Sequence, residues 1–554
     1  MNDFAKTGAV LGAAVLLTLF AITMKPGEVR LDLYSDQGEE FFPGFTDGEE
    51  IAELELTAYR LESSKVYAFG VKRGPKGGWT IPSHGDYPAD ASEQMGKAAA
   101  MMIGLKKQSV VGDRKGNHAD YDLIDPLAGG VETAGRGTRV KLKDSAGNVL
   151  ADLIVGKEVE GKTGTHYVRL PTGKRVYKVE LKGSLSTQFT DWIETDLLKA
   201  QSFNIAKVTF DNYSIDEVKS VIVPGEKIVL AKGADDKFVL EGIDAAKEQT
   251  NEEKANEIGT TLGEIKIVGV RRKPEGLTAR LERANSRDAQ LLSRYLNPRG
   301  YFLAGGGKVV SNDGDLLFET KSGVRYTLRF GKLVFGEGDA ITAGIGTDTP
   351  KEGDGDDPKK DANNRYLMVS VEFDEALLDK PTAVRLAADE LVKREGARFI
   401  LRSIQAAIAN YTTANEGKLP AALVDLTVKP EEGEALLKDL AVDPWGNPYV
   451  FVPAGDTYVL MSHAADGKAG GEGANQDVRS DQIPLEDALA AAATEWTTFD
   501  DKVKTGQEEA EGLTKRFGPW YYVIDKALFD KLKPARADLV EPKVEEPKPG
   551  DAPK

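Results

Sequence analysis

The sequence predicts an α+β fold with an N-terminal transmembrane helix and duplicated β-rich α+β units. Three observations lead to this prediction. Short runs of alternating apolar residues are separated by turn residues, a strand–helix–strand pattern occurs twice, and an uncharged apolar run lies near the N-terminus. At 554 residues the chain is too long for one ordinary hydrophobic core, so we expect two to four domains.

The composition argues against several classes of function. A formal net charge of −17 and a pI near 5.0 disfavour nucleic-acid binding, which needs clustered lysine and arginine, and disfavour a polybasic membrane-surface protein. The chain has no cysteine, which excludes disulfides, thiolate catalysis, iron–sulfur clusters and cysteine-based zinc sites. Its four histidines show no helical zinc spacing, and no nucleophile-elbow pattern accompanies them.

The uncharged run Thr7–Met24 is long enough to cross a membrane as a helix. Lys6 and Lys25 flank it, so the distribution of positive charge does not decide its orientation. A cleaved signal peptide is the alternative. We favour a retained anchor, because the bulky residues at the end of the run, 20–24, do not form a small-residue cleavage site.

An internal repeat organises the region that follows. In each copy a short strand precedes a helix of about four turns, and a second strand follows. The helix should pack on the sheet formed by its own strands, because neither element can bury its apolar face alone. The copies are Trp79–Ile81, a helix over 91–105 and Ser109–Gly112, and then Phe238–Leu240, a helix over 251–262 and Ile265–Gly269.

Alternating runs joined by turn residues predict hairpins in both copies. Gly305–Lys308 also reads as a hairpin turn and not as a phosphate-binding loop, because Val309 stands where that loop needs serine or threonine. Residues 336–364, rich in glycine, aspartate and lysine, predict a mobile acidic loop without the ligand spacing of an EF-hand. The predicted hairpins are Thr138–Leu142 with Ala151–Gly156, His166–Leu170 with Arg175–Val179, and Leu316–Thr320 with Arg325–Phe330.

Several aromatic and apolar motifs stand out along the chain: Thr165–Leu170, Lys174–Tyr177, Phe189–Trp192, and the closing strand and helix Arg516–Asp525 and Leu528–Leu532. They resemble the family called domain of unknown function 4340, and the resemblance covers roughly residues 1–380 and 490–540. It implies an N-terminal anchor, duplicated β-rich units, no known catalytic residues, and a genomic association with transporter subunits related to the gliding-motility ABC system.

A second resemblance lies further along the chain. Residues 391–415 predict an amphipathic helix with Ile400, Ile404, Ile408 and Tyr411 on one stripe and Phe399 beside it. Three later runs accompany this helix: Asn415–Pro420, Asp443–Tyr449 and Ala465–Asp477. Together with the helix they resemble the globular domain of a type II secretion major pseudopilin. The resemblance implies an inserted domain that combines a helix with a small antiparallel sheet.

Two departures from the pseudopilin pattern bear on function. The residues before the helix, 385–395, are charged, whereas the family has a hydrophobic stretch that forms the core of the pilus. No prepilin cleavage motif stands there either, so we do not expect the module to polymerise. Trp445 is predicted to be a packing anchor, with Pro444 and Pro448 fixing the turn around Gly446.

The resemblance to the pseudopilins also implies a structural calcium site. Asp466 and Asp477 match side-chain ligands of the family, and His463 matches a position that gives its carbonyl. Asn475 stands where the family usually has an acidic ligand, so affinity should be weaker, and Glu472 could compensate. Glycines between them allow distant oxygens to converge on a hard cation. A glycine-rich surface loop without an ion is the alternative.

These observations divide the chain into six segments. The pseudopilin-like segment is an insertion into the second β-rich unit, and a polar helix leads back from it to the closing strand. The segments are an anchor (1–26), a first unit (27–200), a second unit (201–383, with the acidic loop 336–364), the inserted domain (384–482), the return helix with the closing strand and helix (483–540), and a disordered tail (541–554).

We therefore expect a non-enzymatic scaffold or accessory protein, anchored in the inner membrane by one helix with its bulk outside the cytoplasm. Its partners would be subunits of a gliding-type ABC transporter, and it would bind neither nucleic acid nor a small-molecule substrate. A component associated with the type II secretion pseudopilus is the alternative. A hydrolase acting on envelope polymers through paired carboxylates is a third possibility, but the sequence offers no convergent pair.

Overall fold

The structure is a computed structural model, and it confirms a mixed α+β protein with several antiparallel sheets. It describes residues 7–8, 11–18, 36–60, 65–75, 77–129, 133–219, 221–275, 277, 286–305, 308–336, 338–344 and 364–543.

The predicted membrane anchor falls largely outside this range. Residues 7–8 and 11–18 are helical, and the rest of Thr7–Met24 lies outside the described residues. Among the helices that the structure does describe, none combines the length and the apolar character needed to cross a bilayer.

The first unit is a nine-stranded antiparallel sheet with one helix. Its elements are β1 Glu53–Arg60, β2 Lys65–Arg73, β3 Trp79–Ile81, β4 Tyr87–Ala89, α1 Ser92–Met102, β5 Ser109–Gly112, β6 Thr138–Lys143, β7 Val149–Glu158, β8 Thr165–Arg169 and β9 Val176–Glu180. The strand order is β4-β3-β2-β1-β6-β7-β8-β9-β5. Helix α1 therefore connects one edge of the sheet with the other.

The second unit and the inserted module follow. The elements are β10 Ile205–Asp211, β11 Ser214–Asp216, β12 Val221–Val223, β13 Lys227–Lys232, β14 Phe238–Leu240, β15 Glu248–Thr250, α2 Glu252–Gly263, β16 Gly269–Arg272, α3 Ser286–Leu296, β17 Tyr301–Leu303, β18 Val309–Ser311, β19 Asp315–Thr320, β20 Val324–Val334, α4 Asp339–Thr342, β21 Asn364–Phe373, α5 Ala388–Ala414, β22 Val450–Ala454, β23 Thr457–Ser462, β24 Val478–Arg479, α6 Ile483–Phe517, β25 Trp520–Asp525, α7 Lys526–Lys531 and β26 Val540–Pro542.

The two large sheets share one topology. The second has the order β14-β13-β10-β19-β20-β21-β25-β16, which matches β3-β2-β1-β6-β7-β8-β9-β5 strand for strand. The register agrees as well: Val110 of β5 is paired with Tyr177 of β9, and Val270 of β16 with Tyr522 of β25. The strand order thus repeats along the chain, as the sequence pattern indicated.

That register corrects one part of the predicted repeat. The second copy's closing strand is Gly269–Arg272, so it begins where the predicted strand Ile265–Gly269 was expected to end. Residues Ile265 and Ile267 instead exchange backbone hydrogen bonds with Leu197 and Thr195, in the segment that links the two units. Both isoleucines are buried, so apolar character alone did not distinguish the strand from this linker contact.

The insertion lies in one connection of the second sheet. In the first unit, β8 and β9 are joined by the short turn predicted at Pro171–Gly173. In the second unit the matching strands, β21 and β25, also pair antiparallel, but residues 374–519 lie between them. The three predicted hairpins are confirmed by the pairs β6–β7, β8–β9 and β19–β20, and β17 pairs with β18 on either side of Gly305–Lys308.

One hydrophobic core spans both sheets. It includes Leu54 and Trp192 from the first unit and Phe318 and Tyr522 from the second, each at most 1% exposed. Helices α1 and α2 contribute their apolar faces to the same core. The rings of Tyr87 and Trp520 meet edge to face 4.9 Å apart across the two units. Trp520 and Tyr522 of β25 are therefore part of this core.

Part of the predicted disordered tail is ordered. Strand β26 pairs with β15, with Glu541 opposite Gln249, and the Lys543 N–H donates to the Lys247 carbonyl. The Pro-, Glu- and Lys-rich composition of the tail concealed this strand. Residues 544–554 lie outside the described residues, as do 337 and 345–363 of the predicted acidic loop. Within that loop, α4 is a short helix.

Candidate functional site: the inserted module

The inserted module has a hydrophobic core of its own. Leu401, Ile404 and Ile408 of α5 pack against residues of β23 and β24, including Leu460 and Val478. These side chains follow the helical spacing that the sequence indicated, and Ile400 and Tyr411 line the edge of the same core. The module therefore buries its apolar residues among themselves and not in the two-sheet body.

A tight turn organises the module beside the helix. One carboxylate oxygen of Asp443 accepts hydrogen bonds from the Trp445 and Asn447 N–H groups, at 3.1 and 2.7 Å. Its other oxygen accepts from the Ser462 hydroxyl at 2.6 Å. Asp443 is buried, so these three donors satisfy a carboxylate that would otherwise be costly to bury. Gly446 provides the positive φ of 93° that the turn requires.

The side chain of Trp445 connects this turn to α5. Its Nε1–H donates to Glu390 Oε2 at 3.0 Å, and the ring packs against the module core. Trp445 is therefore placed as a packing anchor, as predicted. Burial raises the pKa of the nearby Tyr449 hydroxyl, with the Asp443 carboxylate adding to the effect.

The glycine-rich loop closes through Asp477. His463 Nδ1 lies 3.1 Å from Asp477 Oδ1, so the imidazole donates when its proton is on that nitrogen. The Gly470 N–H donates to Asp477 Oδ2 at 2.9 Å. Gly471 has a φ of 90°, and a Cβ there would lie 2.4 Å from the Asn475 carbonyl oxygen, so the loop depends on a glycine at this position.

The predicted ligands are thus only partly brought together. Asp477 and His463 are in contact, through the imidazole and not through a main-chain carbonyl. Asp466 is exposed, and its Oδ1 accepts from the Lys468 N–H at 3.1 Å. Glu472 is exposed, and Asn475 lies in a short 3-10 turn. Across the described residues, no three acidic or histidine side chains gather as a metal site would require.

The donor chemistry of the loop is that of a hard-cation site, because its candidate ligands are carboxylate, amide and main-chain oxygens. In this arrangement the two carboxylates are occupied by hydrogen bonds from within the loop.

Two buried charged residues of α5 escaped the sequence analysis. Glu390 and Arg394 are 7% and 2% exposed. The Arg394 guanidinium donates to the Gln476 carbonyl at 2.8 Å, which ties the helix to the end of the loop. The signal was their spacing, since both continue the buried stripe through Ala397 and Leu401 towards the N-terminus of the helix.

Helix α6 contacts the module and the segment that leads into it. Arg398 lies 3.2 Å from Asp487 of α6, and Arg385 lies 2.5 Å from Asp500. The Trp496 Nε1–H donates to the Ala383 carbonyl at 3.0 Å, and the Arg385 guanidinium lies 4.8 Å from the ring centre. The module is therefore joined to the second unit at both ends and supported along one helix.

The outer face of α5 carries an exposed apolar stripe. Val392 and Phe399 are each 73% exposed and lie two turns apart on the same side of the helix, opposite the buried stripe. The prediction that Phe399 lies beside the buried stripe is therefore wrong. These two side chains provide the apolar part of the exposed face of α5.

Each of the four histidines contacts a ring, a backbone carbonyl or a carboxylate within the fold. His84 is buried and stacks on Phe189 with ring centres 4.1 Å apart. His118 Nε2 lies 2.8 Å from the Lys174 carbonyl, and His166 Nδ1 lies 3.2 Å from the Gly156 carbonyl.

Comparison with known families identifies two segments. Residues 79–282 match the family model described as domain of unknown function (DUF4340), and residues 387–481 match the model described as type II secretion system (T2SS), protein G. Both resemblances drawn from the sequence are confirmed. No curated protein matches the chain.

Proposed function

We propose that this chain is a non-enzymatic accessory protein of a secretion- or transport-related envelope assembly, in which the two-sheet body displays the protein G-like module as a docking unit. The observation that carries the proposal is the position of the module. It is inserted between two paired strands of the second sheet, is connected to that sheet at both ends, and forms two ion pairs with α6.

The surroundings of α5 support docking over polymerisation. The helix begins at Ala388, and the residues just before it contact α6 through Ala383 and Arg385. In this chain, the place where pseudopilins have a hydrophobic extension of the helix is therefore taken by residues that form polar contacts with α6. The stripe formed by Val392 and Phe399 is the part of the helix that remains open to a protein partner.

The surroundings of the titratable side chains support a non-enzymatic role. The four histidines contact backbone carbonyls, a neighbouring ring or a carboxylate within the fold. The sequence offers no convergent carboxylate pair, and the described residues hold no cluster of three acidic or histidine side chains.

The proposed setting is the inner membrane, with one anchoring helix in Thr7–Met24 and the bulk of the chain outside the cytoplasm. Two assemblies are candidates. The DUF4340 match leads us to prefer a gliding-type ABC transporter, and the protein G match makes a type II secretion pseudopilus the alternative.

Calcium is the ion that the module's loop would take. Asp466 and Asp477 would supply carboxylates, Asn475 and the His463 carbonyl would supply neutral oxygens, and Glu472 lies close in sequence. The ion would neutralise the loop's charge and stabilise the folded module.

The test is an affinity pull-down of the tagged full chain from native membranes, with bound proteins identified by mass spectrometry. We compare the natural chain with a Val392→Asp, Phe399→Asp double variant. The matched control is Leu127→Asp with Val149→Asp, which changes two exposed apolar residues of the first unit. Transporter subunits or secretion pseudopilins should be recovered with the natural chain and the control, and lost with the stripe variant.

The identity of the recovered proteins separates the two assemblies. Transporter subunits support the preferred setting, and secretion pseudopilins support the alternative. Equal recovery with both double variants would contradict the module's role in docking.

A further inference from the structure

The two sheets differ at one edge. In the first unit the outermost strand, β4, pairs with β3 and carries Pro88, a residue that blocks further strand pairing. In the second unit β15 occupies the equivalent place in the chain, but it pairs with β26 and not with β14. Strand β14 is thus the end of its sheet. Its outer edge has no proline and no paired strand among the described residues.

The register shows which backbone groups face outward. Gly233 donates to Lys237 and Glu241 donates to Val229, which places Lys237 and Glu241 in hydrogen-bonded positions towards β13. Because these positions alternate in an antiparallel pair, Phe238 and Leu240 direct their N–H and carbonyl groups away from β13. The Leu240 N–H donates to the Thr250 hydroxyl at 2.8 Å. The outward groups of Phe238 form no strand pairing in the described structure.

A groove runs along this open part of the edge. Its cavity volume is about 590 Å³, and it is bounded by β14, β15, the first turn of α2 and the residues around β26. Val239, 47% exposed, and Ile243 provide apolar surface in it. A groove between a free strand and a neighbouring strand pair has the shape that an extended peptide requires.

The groove is acidic. Its charged lining comprises the carboxylates of Asp235, Glu248, Glu252, Glu253 and Glu541, and the ammonium groups of Lys237 and Lys543.

The two lysines are already engaged. Lys237 lies 2.7 Å from Glu252, and the Lys543 ammonium donates to the Ala245 carbonyl at 3.2 Å. Within the described part of the chain, the ion pairs do not include Asp235, Glu248 or Glu253. The potential in the groove therefore favours a positively charged occupant.

We propose that the groove binds a lysine- or arginine-rich extended segment of a protein partner, which adds as a strand to the outer edge of β14. Main-chain hydrogen bonds to Phe238 would give the pairing, and alternate basic side chains would meet the unpaired carboxylates. This site lies on the second unit and does not depend on the inserted module.

The experiment uses the full chain and three fluorescent seven-residue peptides, measured by anisotropy at 150 mM salt. The first alternates lysine and valine, the second has the same sequence with alternate amides N-methylated, and the third alternates glutamate and valine. Only the first should bind, because N-methylation removes strand pairing and keeps the charge. Hydrogen exchange should then show protection at the Phe238 amide.

A charge-reversal variant sharpens the test. Glu248→Lys with Glu253→Lys should weaken binding of the first peptide by about tenfold or more, because it reverses two carboxylates of the groove. The control is Asp90→Lys with Glu93→Lys, two exposed acids at the start of α1, the matching helix of the first unit, and it should bind normally.

Three results would overturn the proposal. Equal binding of the N-methylated peptide would show charge attraction without strand addition, and protection at a different site would show another surface. Concentration-dependent self-association of the free chain with protection at Phe238 would identify a second copy as the occupant. The N-methyl comparison uses the natural chain, so the test holds even if the charge-reversal variant does not fold.

Discussion

The two β-rich units have the same strand order, but they differ in what connects their last two hairpin strands. In the first unit a short turn joins β8 to β9, whereas in the second residues 374–519 lie between β21 and β25. The pairing is nevertheless the same, with Tyr167 opposite Lys178 in one unit and Tyr366 opposite Val523 in the other. A hairpin turn can thus accept a whole folded module, because the strand ends remain adjacent and loop closure costs rise only slowly with length.

The comparison also shows where the insertion depends on its host. The module has a separate hydrophobic core, but the helix that leads back from it does not. Ala510 and Phe517 of α6 belong to the core shared by the two sheets. The module therefore packs independently, whereas the helix that follows it, α6, is part of the core of the two sheets.

The largest expected effect tests whether the two sheets are one cooperative unit. Phe318→Ala in β19 should lower the free energy of unfolding by about 3–5 kcal/mol, because it empties a fully buried ring position. Leu142→Ala, in the matching strand β6, should destabilise the same transition. Calorimetry should show one transition for both sheets and a separate one for the module. If each variant shifts a different transition, the shared core is not cooperative.

A smaller effect is the pH dependence that His84, in the first unit, gives to the free energy of unfolding. Burial, assisted by the charge of Arg271, lowers the pKa of His84 to about 4. The unfolded chain takes up the proton below about pH 6.5, while the folded chain does not until about pH 4, so stability should fall by roughly 3 kcal/mol across that window. His84→Phe should remove this part of the pH dependence in urea titrations. An unchanged slope in the variant would contradict the assignment.

Calcium should act on the module alone. At a hundredfold excess over Kd, the ion would stabilise its transition by about 2.7 kcal/mol, whereas the two-sheet transition should not move. Melting of the full chain in calcium and in chelator measures this. Asp477→Asn should abolish the shift, and Asp456→Asn, an acid in the β22–β23 turn, is the control. Identical melting in both buffers would favour the loop without an ion.

The smallest effect concerns the link between the turn and α5. Trp445→Phe removes the donor to Glu390 and leaves a buried carboxylate with one partner fewer, at a cost of about 1–3 kcal/mol to the module. Adding Glu390→Leu should recover much of the loss, because both polar partners are then gone. Hydrogen exchange at α5 gives the local readout. No recovery in the double variant would show that packing of the indole, and not its hydrogen bond, is what matters.

Local patterns predicted much of this molecule. Hairpins with alternating residues and clear turns, such as Thr138–Leu142 with Ala151–Gly156, were identified because each strand pairs with its sequence neighbour. Strand β26 was missed because its partner, β15, lies nearly three hundred residues away and its composition is that of a disordered tail. Long-range pairing leaves little trace in a local window.

In the module, too, some features could be predicted from the sequence and others could not. The stripe through Ile404 and Ile408 predicted its helix, and the resemblance to pseudopilins predicted its loop. The contact of the His463 ring with Asp477 could not be read from the sequence, because it depends on a side-chain rotamer. Arg394 has the helical spacing of the buried stripe, but its burial was not predicted because the side chain is charged.

The position of β25 has a consequence for biosynthesis. Strand β16 pairs with β25 alone in the second sheet, yet the ribosome completes β16 about 250 residues before it reaches β25. At typical rates of synthesis this delay lasts roughly 10–50 s. Throughout that time β16 has no partner strand, and once β21 has been made one of its sides has none either. The nascent chain therefore presents two unpaired strand edges while the module, which lies between β21 and β25 in sequence, is synthesised. The second sheet is therefore the part of this chain with the greatest need of a chaperone.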